Sequence, residues 1–110
     1  MKDCFRLLEA ARLVVDDIEN LLGDPELLLI HRDQLRRAAQ SIPANVREGM
    51  GRKAGPDRNR AYRIARGSAE ESDEHLRANI SGDRITSAVY WRLHNRIAVI
   101  VKMIDVTVSA

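Results

Sequence analysis

The stretch RRAAQSIPANVREGMGR, Arg36 to Arg52, decides the fold. With Leu35 just before it, its residues Ala38, Ile42, Val46 and Gly49 recur at three and four positions, the period of one buried helical face. Pro43 stands beside that stripe. A proline ring removes one helical N–H and crowds the carbonyl four residues back, here that of Ala39, so the helix is expected to bend and continue. Ser41 and Asn45 are placed to bond the backbone groups that this frees. Ala38, Ala39, Ser41, Ala44 and Gly49 are small, which lets a second helix approach closely at little cost in side-chain entropy. Ala61, Ala65, Ser68, Ala69 and Ser72 are the matching small residues of that partner.

Outward from this stretch, three breaks divide the chain: GDP at Gly23 to Pro25, GRKAGPD at Gly51 to Asp57, and SGD at Ser81 to Asp83. Glycine accepts the left-handed conformation that ends helices, aspartate caps the free N–H groups of the next, and proline fits a first turn. Each break is therefore expected to stop one helix and start another. The first stripe is Phe5, Leu8, Ala11, Val15, Ile18 and Leu22; the third is Ala61, Ala65, Ala69, Ser72, Leu76 and Ile80; the fourth is Ile85, Val89, Leu93, Ile97, Ile100 and Ile104. No segment alternates with period two for long enough to need a strand. The expectation is all-α: an antiparallel, up-and-down four-helix bundle with short connections. At 110 residues and 45% hydrophobic content, residues 1–110 are read as one domain.

IAVIV, Ile97 to Val101, is apolar on every side of its helix, and Met103, Ile104, Val106 and Val108 follow. One bundle core needs only one face, so a second face must be covered by something else. With part of LLLI, Leu27 to Ile30, this helix implies a homo-oligomer.

The net charge of +2 is unevenly spread. Residues 1–31 are acidic, whereas between Arg32 and Arg66 ten basic residues face only Asp33, Glu48 and Asp57. The candidate nucleic-acid-binding residues lie there: Arg36, Arg37, Arg47, Arg52, Lys53, Arg58, Arg60, Arg63 and Arg66. On a helical projection Arg36, Arg37 and Arg47 fall opposite Ile42, and Arg60, Arg63 and Arg66 opposite Ala65, so these six point away from the core. Phosphate contacts of this kind bind the backbone of RNA or DNA with steep salt dependence and little sequence preference. Aromatics are only 4% of the chain, which argues against base stacking. The competing reading places the arginines in the bundle itself: Arg66 with Glu70 and Arg77 with Asp73 at four-residue spacing, and Arg37 or Arg47 with Glu48 or the acidic first helix. A charged helical scaffold that binds another protein, without nucleic acid, is the alternative function.

An enzyme is not expected. Di-metal bundles need paired Glu-x-x-His motifs, and EESDEH offers only Glu71 and His75 at i, i+4 with no second copy. Ser41, Ser68 and Ser72 read as packing residues, His94 as lying on the polar side of its helix, and NIS, Asn79 to Ser81, as a helix end. No cofactor or metal is expected. Cys4 is the only cysteine, which excludes an intrachain disulfide and leaves a small apolar filler. No apolar run approaches the roughly 18 to 20 residues of a membrane span, and no secretion leader is recognisable. The expected location is cytoplasmic, away from membranes.

QLRRAAQSIPANVREGMGR, Gln34 to Arg52, followed by YRIARGSAEE, Tyr62 to Glu71, resembles the signature of the 23S rRNA intervening-sequence proteins. The two motifs cover the second and third helices, and the flanking helices match in pattern and length. The resemblance implies a homopentameric ring with a central channel. It also implies distant similarity to the basic accessory variability proteins of diversity-generating retroelements, and so a reverse transcriptase or other protein as a further candidate partner. It brings no catalytic residues. One departure is local: a hydroxyl residue that commonly caps the second helix is replaced by HRD, His31 to Asp33, which leaves its start anywhere from Asp24 to Asp33.

Overall fold

In a computed structural model that describes residues 2–109, the four stripes become four helices: α1 (Lys2–Leu22), α2 (Arg32–Met50), α3 (Pro56–Ser81) and α4 (Ser87–Ser109). Met1 and Ala110, the ends of the expected domain, lie outside the described residues. No strand occurs among the described residues. Each helix packs on the next, and α4 closes back on α1, so the four form a bundle about 45 Å long. The α2–α3 pair is the most extensive, as their small residues require.

Pro43 sits inside an unbroken α2 and is itself buried beside Ile42 and Val46. Asn45 Nδ2 donates to the Ser41 carbonyl at 2.8 Å and to Ser41 Oγ at 2.9 Å. It therefore holds the turn next to the proline, while the Ala39 carbonyl is the group that Pro43 leaves without its helical N–H. Ser68 Oγ donates to Ser41 Oγ at 2.8 Å, so the same hydroxyl joins α3 to α2.

Only the middle break both stops and starts a helix, with Gly55 at φ 142 and Pro56 in the first turn of α3. After GDP the chain runs without helix from Gly23 to His31. Asp24 is occupied locally, its Oδ1 accepting the Glu26 N–H at 2.9 Å. Arg32 reaches back to the carbonyls of Leu22 and Leu27 at 2.7 and 2.9 Å, closing the end of α1. At the third break Asp83 adopts a left-handed turn, φ 56, and Thr86 caps α4 by accepting the Val89 N–H at 3.2 Å.

The core follows the stripes with shifts. On α1 the buried set is Leu7, Leu8, Ala11, Val14, Ile18 and Leu22, while Phe5 is 60% exposed and Val15 only half-buried. Phe5 lies nearly opposite Leu7 and at the edge of the face that Leu8 shares, so counting by three and four from it set the stripe slightly off the true face. Tyr62, Asn79 and Tyr90 are buried too. Tyr62 explains Gly49: a Cβ there would stand 2.6 Å from Tyr62 Cε1 and 2.9 Å from Cδ1. Glycine is needed because a ring lies against the backbone. Cys4 Sγ and Tyr62 Oη share a hydrogen bond of 3.3 Å, so the half-buried Cys4 does more than fill space.

Candidate nucleic-acid interface

The Cys4–Tyr62 contact places the start of α1 beside the start of α3, and the α2–α3 loop lies at this same end of the bundle. Most of the basic middle segment gathers here. The nine candidate residues divide into two groups by what their side chains touch.

Four are engaged within the bundle. Arg36 Nε meets Glu19 Oε1 at 2.9 Å across the α1–α2 seam. Arg52 Nη2 meets Glu48 Oε1 at 2.6 Å. Arg58 Nε donates to the carbonyls of Gly49 and Arg52 at 3.1 and 2.8 Å, tying the first turn of α3 to the end of α2 and the loop that follows it. Arg66 lies between α3 and α4, with Nε on Asp105 Oδ1 and Nη1 on Glu70 Oε1, each at 2.7 Å. The hydrogen bond from Arg66 holds the Asp105 carboxyl below the ordinary carboxylate range and raises the guanidinium in turn. Arg66 is thus turned toward α4 and not outward as its projection implies.

The other five, Arg37, Arg47, Lys53, Arg60 and Arg63, are exposed, and none has a side-chain hydrogen bond or ion pair among the described residues. Arg37 and Arg47 stand ten residues apart on the outer face of α2, ~15 Å along its axis. Lys53 projects from the α2–α3 loop, which with Pro56 and Asp57 of α3 lines a depression of about 500 Å³. Arg60 and Arg63 follow in the opening turns of α3. The free positive charge therefore runs along outer α2, over the loop and onto α3.

Between α3 and α4 lies a polar cluster that the sequence reading missed. Asp73 Oδ1 accepts from Tyr90 Oη at 3.2 Å and lies 2.8 Å from His94 Nδ1, while Arg77 Nε meets Asp73 Oδ2 at 3.1 Å. Arg77 also donates to Tyr90 Oη at 3.0 Å. Burial pushes the Tyr90 hydroxyl up from its ordinary value. His94, read as lying on the polar side of its helix, is half-buried there, with Asp73 on α3 against its ring. The Arg77–Asp73 pair was legible from its spacing; Tyr90 and His94 were not, since only the α3–α4 packing brings them there. Asn79 is fully buried: its Oδ1 accepts the Ile30 N–H at 2.9 Å, and its Nδ2 donates to the carbonyls of Ile30 and His75 at 3.1 and 2.8 Å. This residue clamps the α1–α2 connection onto α3.

Apolar surface remains on the outside. Leu13, Trp91 and Val99 are each 54% exposed and Leu28 is 83% exposed. In IAVIV, Ile97 and Ile100 enter the core while Ala98 and Val99 face outward. A groove of about 360 Å³ beside Val99 and Met103 has Arg6 and Lys102 at its rim. No described helix is long and apolar enough to cross a membrane.

Residues 8–106 match the family model of the 23S rRNA-intervening sequence protein. Among solved structures, a protein of unknown function from the S23 ribosomal protein family of Bacteroides thetaiotaomicron VPI-5482 is similar over the whole of both chains. It has a TM-score of 0.91 at 24% identity, a likeness of fold. No curated protein matches the chain significantly.

Proposed function

The chain belongs to the 23S rRNA-intervening sequence protein family, and from that premise we propose a non-catalytic, homo-oligomeric bundle that binds the backbone of RNA or DNA. The observation that carries this reading is the division among the basic residues. Four of the nine are tied to carboxylates or carbonyls, and the five left over are exposed on outer α2, in the loop and in the opening turns of α3. Unpaired cations on an outer face are what a phosphate backbone recognises, and a ring would repeat them around its axis.

Self-assembly is supported by exposed Leu13, Trp91 and Val99, large apolar side chains that another copy would cover. A ring of five is taken from the resemblance described above, and a cytoplasmic location is part of the same proposal. A binding role is favoured over catalysis because the serines and the aspartate inside the bundle are spent on neighbouring groups. Ser41 and Ser68 bond each other, Ser72 bonds the Ser68 carbonyl, and Asp73 is held by three side chains.

The test is fluorescence anisotropy of labelled structured RNA and duplex DNA, with heparin as competitor, over a salt series. Binding should weaken steeply with salt and be lost in Arg47→Glu and Arg63→Glu proteins that still assemble. Absence of binding at low salt would overturn the proposal and direct the search to an acidic protein partner.

A further inference from the structure

His31 and His75 are far apart in the chain, yet their rings meet. The two Nδ1 atoms are 3.1 Å apart, with the rings edge to face at 83°. One proton fills this contact, so one Nδ1 donates and the other accepts. His75 has a second, less favourable feature: its Nε2 is buried without a hydrogen-bond partner, and Glu71 Oε1 stands 3.5 Å away. His31 has one as well. It is exposed and holds a left-handed backbone, φ 58, a conformation that costs a residue with a Cβ.

These features fit the requirements of a metal ion. Imidazole nitrogens bind zinc at about 2.0–2.1 Å, which sets two of them roughly 3.3 Å apart on a tetrahedral ion. The observed separation is within a few tenths of an ångström of that edge. A histidine bound through Nδ1 directs its Nε2–H at a carboxylate, which fixes the tautomer and the ring. Glu71 is placed for this on the far side of His75, and a small movement of its exposed side chain would satisfy the orphaned nitrogen.

We propose that His31 and His75 form a binding site for a divalent transition metal of the zinc or copper class, with both Nδ1 atoms as ligands and Glu71 orienting His75. Binding requires the ring whose Nδ1 carries the shared proton to move it to Nε2, so that both Nδ1 lone pairs face the ion. No three His, Cys, Asp or Glu side chains form a metal-sized group among the described residues, so the remaining positions belong to water. Imidazole suits Zn²⁺ and Cu²⁺. The ion would staple the start of α2 to α3, beside the Asn79 clamp.

The experiment is separate calorimetric titration of Zn²⁺ and Cu²⁺ into the tag-free full chain, with electron paramagnetic resonance of the copper form. The expected result is one ion per chain with nitrogen couplings from two imidazoles. The decisive variant is His31→Gly, because glycine accepts φ 58 without strain and only the ligand is lost. It should fold as the parent does and bind at least about tenfold more weakly, His75→Ala should do the same, and Glu71→Gln should lose about tenfold. His94→Gln should leave affinity unchanged. Undiminished binding by a folded His31→Gly protein, or no saturable binding by the parent, would overturn the assignment.

Discussion

Gly49 and Tyr62 show how one residue constrains another thirteen positions away. Alanine is ordinarily the better helix former by ~1 kcal/mol, yet at position 49 its methyl would enter the space of the Tyr62 ring. We expect Gly49→Ala to destabilise the protein by about 1–3 kcal/mol in denaturant melts, and Tyr62→Leu to recover much of that loss in the double variant. A Gly49→Ala protein as stable as the parent would contradict the contact. Tyr62 also predicts an alkaline limit. Burial, with the Cys4 hydrogen bond second, pushes its hydroxyl from 10.0 up to about 12, so the folded state prefers the protonated form. That stability is present below pH 10.0 and is lost as pH rises towards 12. Denaturant melts across this window should show a shallower decline in Tyr62→Phe than in the parent. Glycine's place in the stripe was legible in the sequence, but its cause was not, because the tyrosine that demands it lies on another helix.

At the scale of elements, periodicity located four helices, left the start of α2 open between Asp24 and Asp33, and set that of α4 too early. The start of α2 at Arg32 follows from tertiary bonds: Asn79 holds both backbone groups of Ile30 and Arg32 takes the carbonyls of Leu22 and Leu27. No local signal around GDP carries that information. NIS does end a helix, α3 closing at Ser81, and its Asn79 is in addition the clamp that orders the connection. Replacing Asn79 by alanine strips both backbone groups of Ile30 of their partner and should cost about 2–3 kcal/mol. Hydrogen exchange should show the loss first in residues 24–31. Equal protection in parent and variant would mean that the clamp is redundant. The basic segment, in contrast, was fully visible in the sequence. What the sequence concealed was the sorting of its arginines, since Glu19 and Asp105 come from helices distant in the chain.

For the whole molecule, the apolar excess of α4 is partly resolved within one chain: Ile97, Ile100 and Ile104 fill the core, and Trp91 and Val99 remain outside. Light scattering at micromolar concentration should give a mass several times the 12.4 kDa of one chain, and Trp91→Glu with Val99→Glu should shift it towards a single chain. A monomeric parent would remove the ring and leave the five cations as a patch on one small bundle.

The central claim is that five basic residues face a phosphate backbone while four hold the bundle. The most direct measurement is the slope of log affinity against log salt for one RNA duplex. The account predicts that Arg47→Ala, Arg60→Ala and Arg63→Ala together reduce the slope by about two to three, close to one per contact, while Arg36→Ala and Arg66→Ala leave it unchanged. Equal reductions in both sets, or a slope that none of these changes alters, would contradict it.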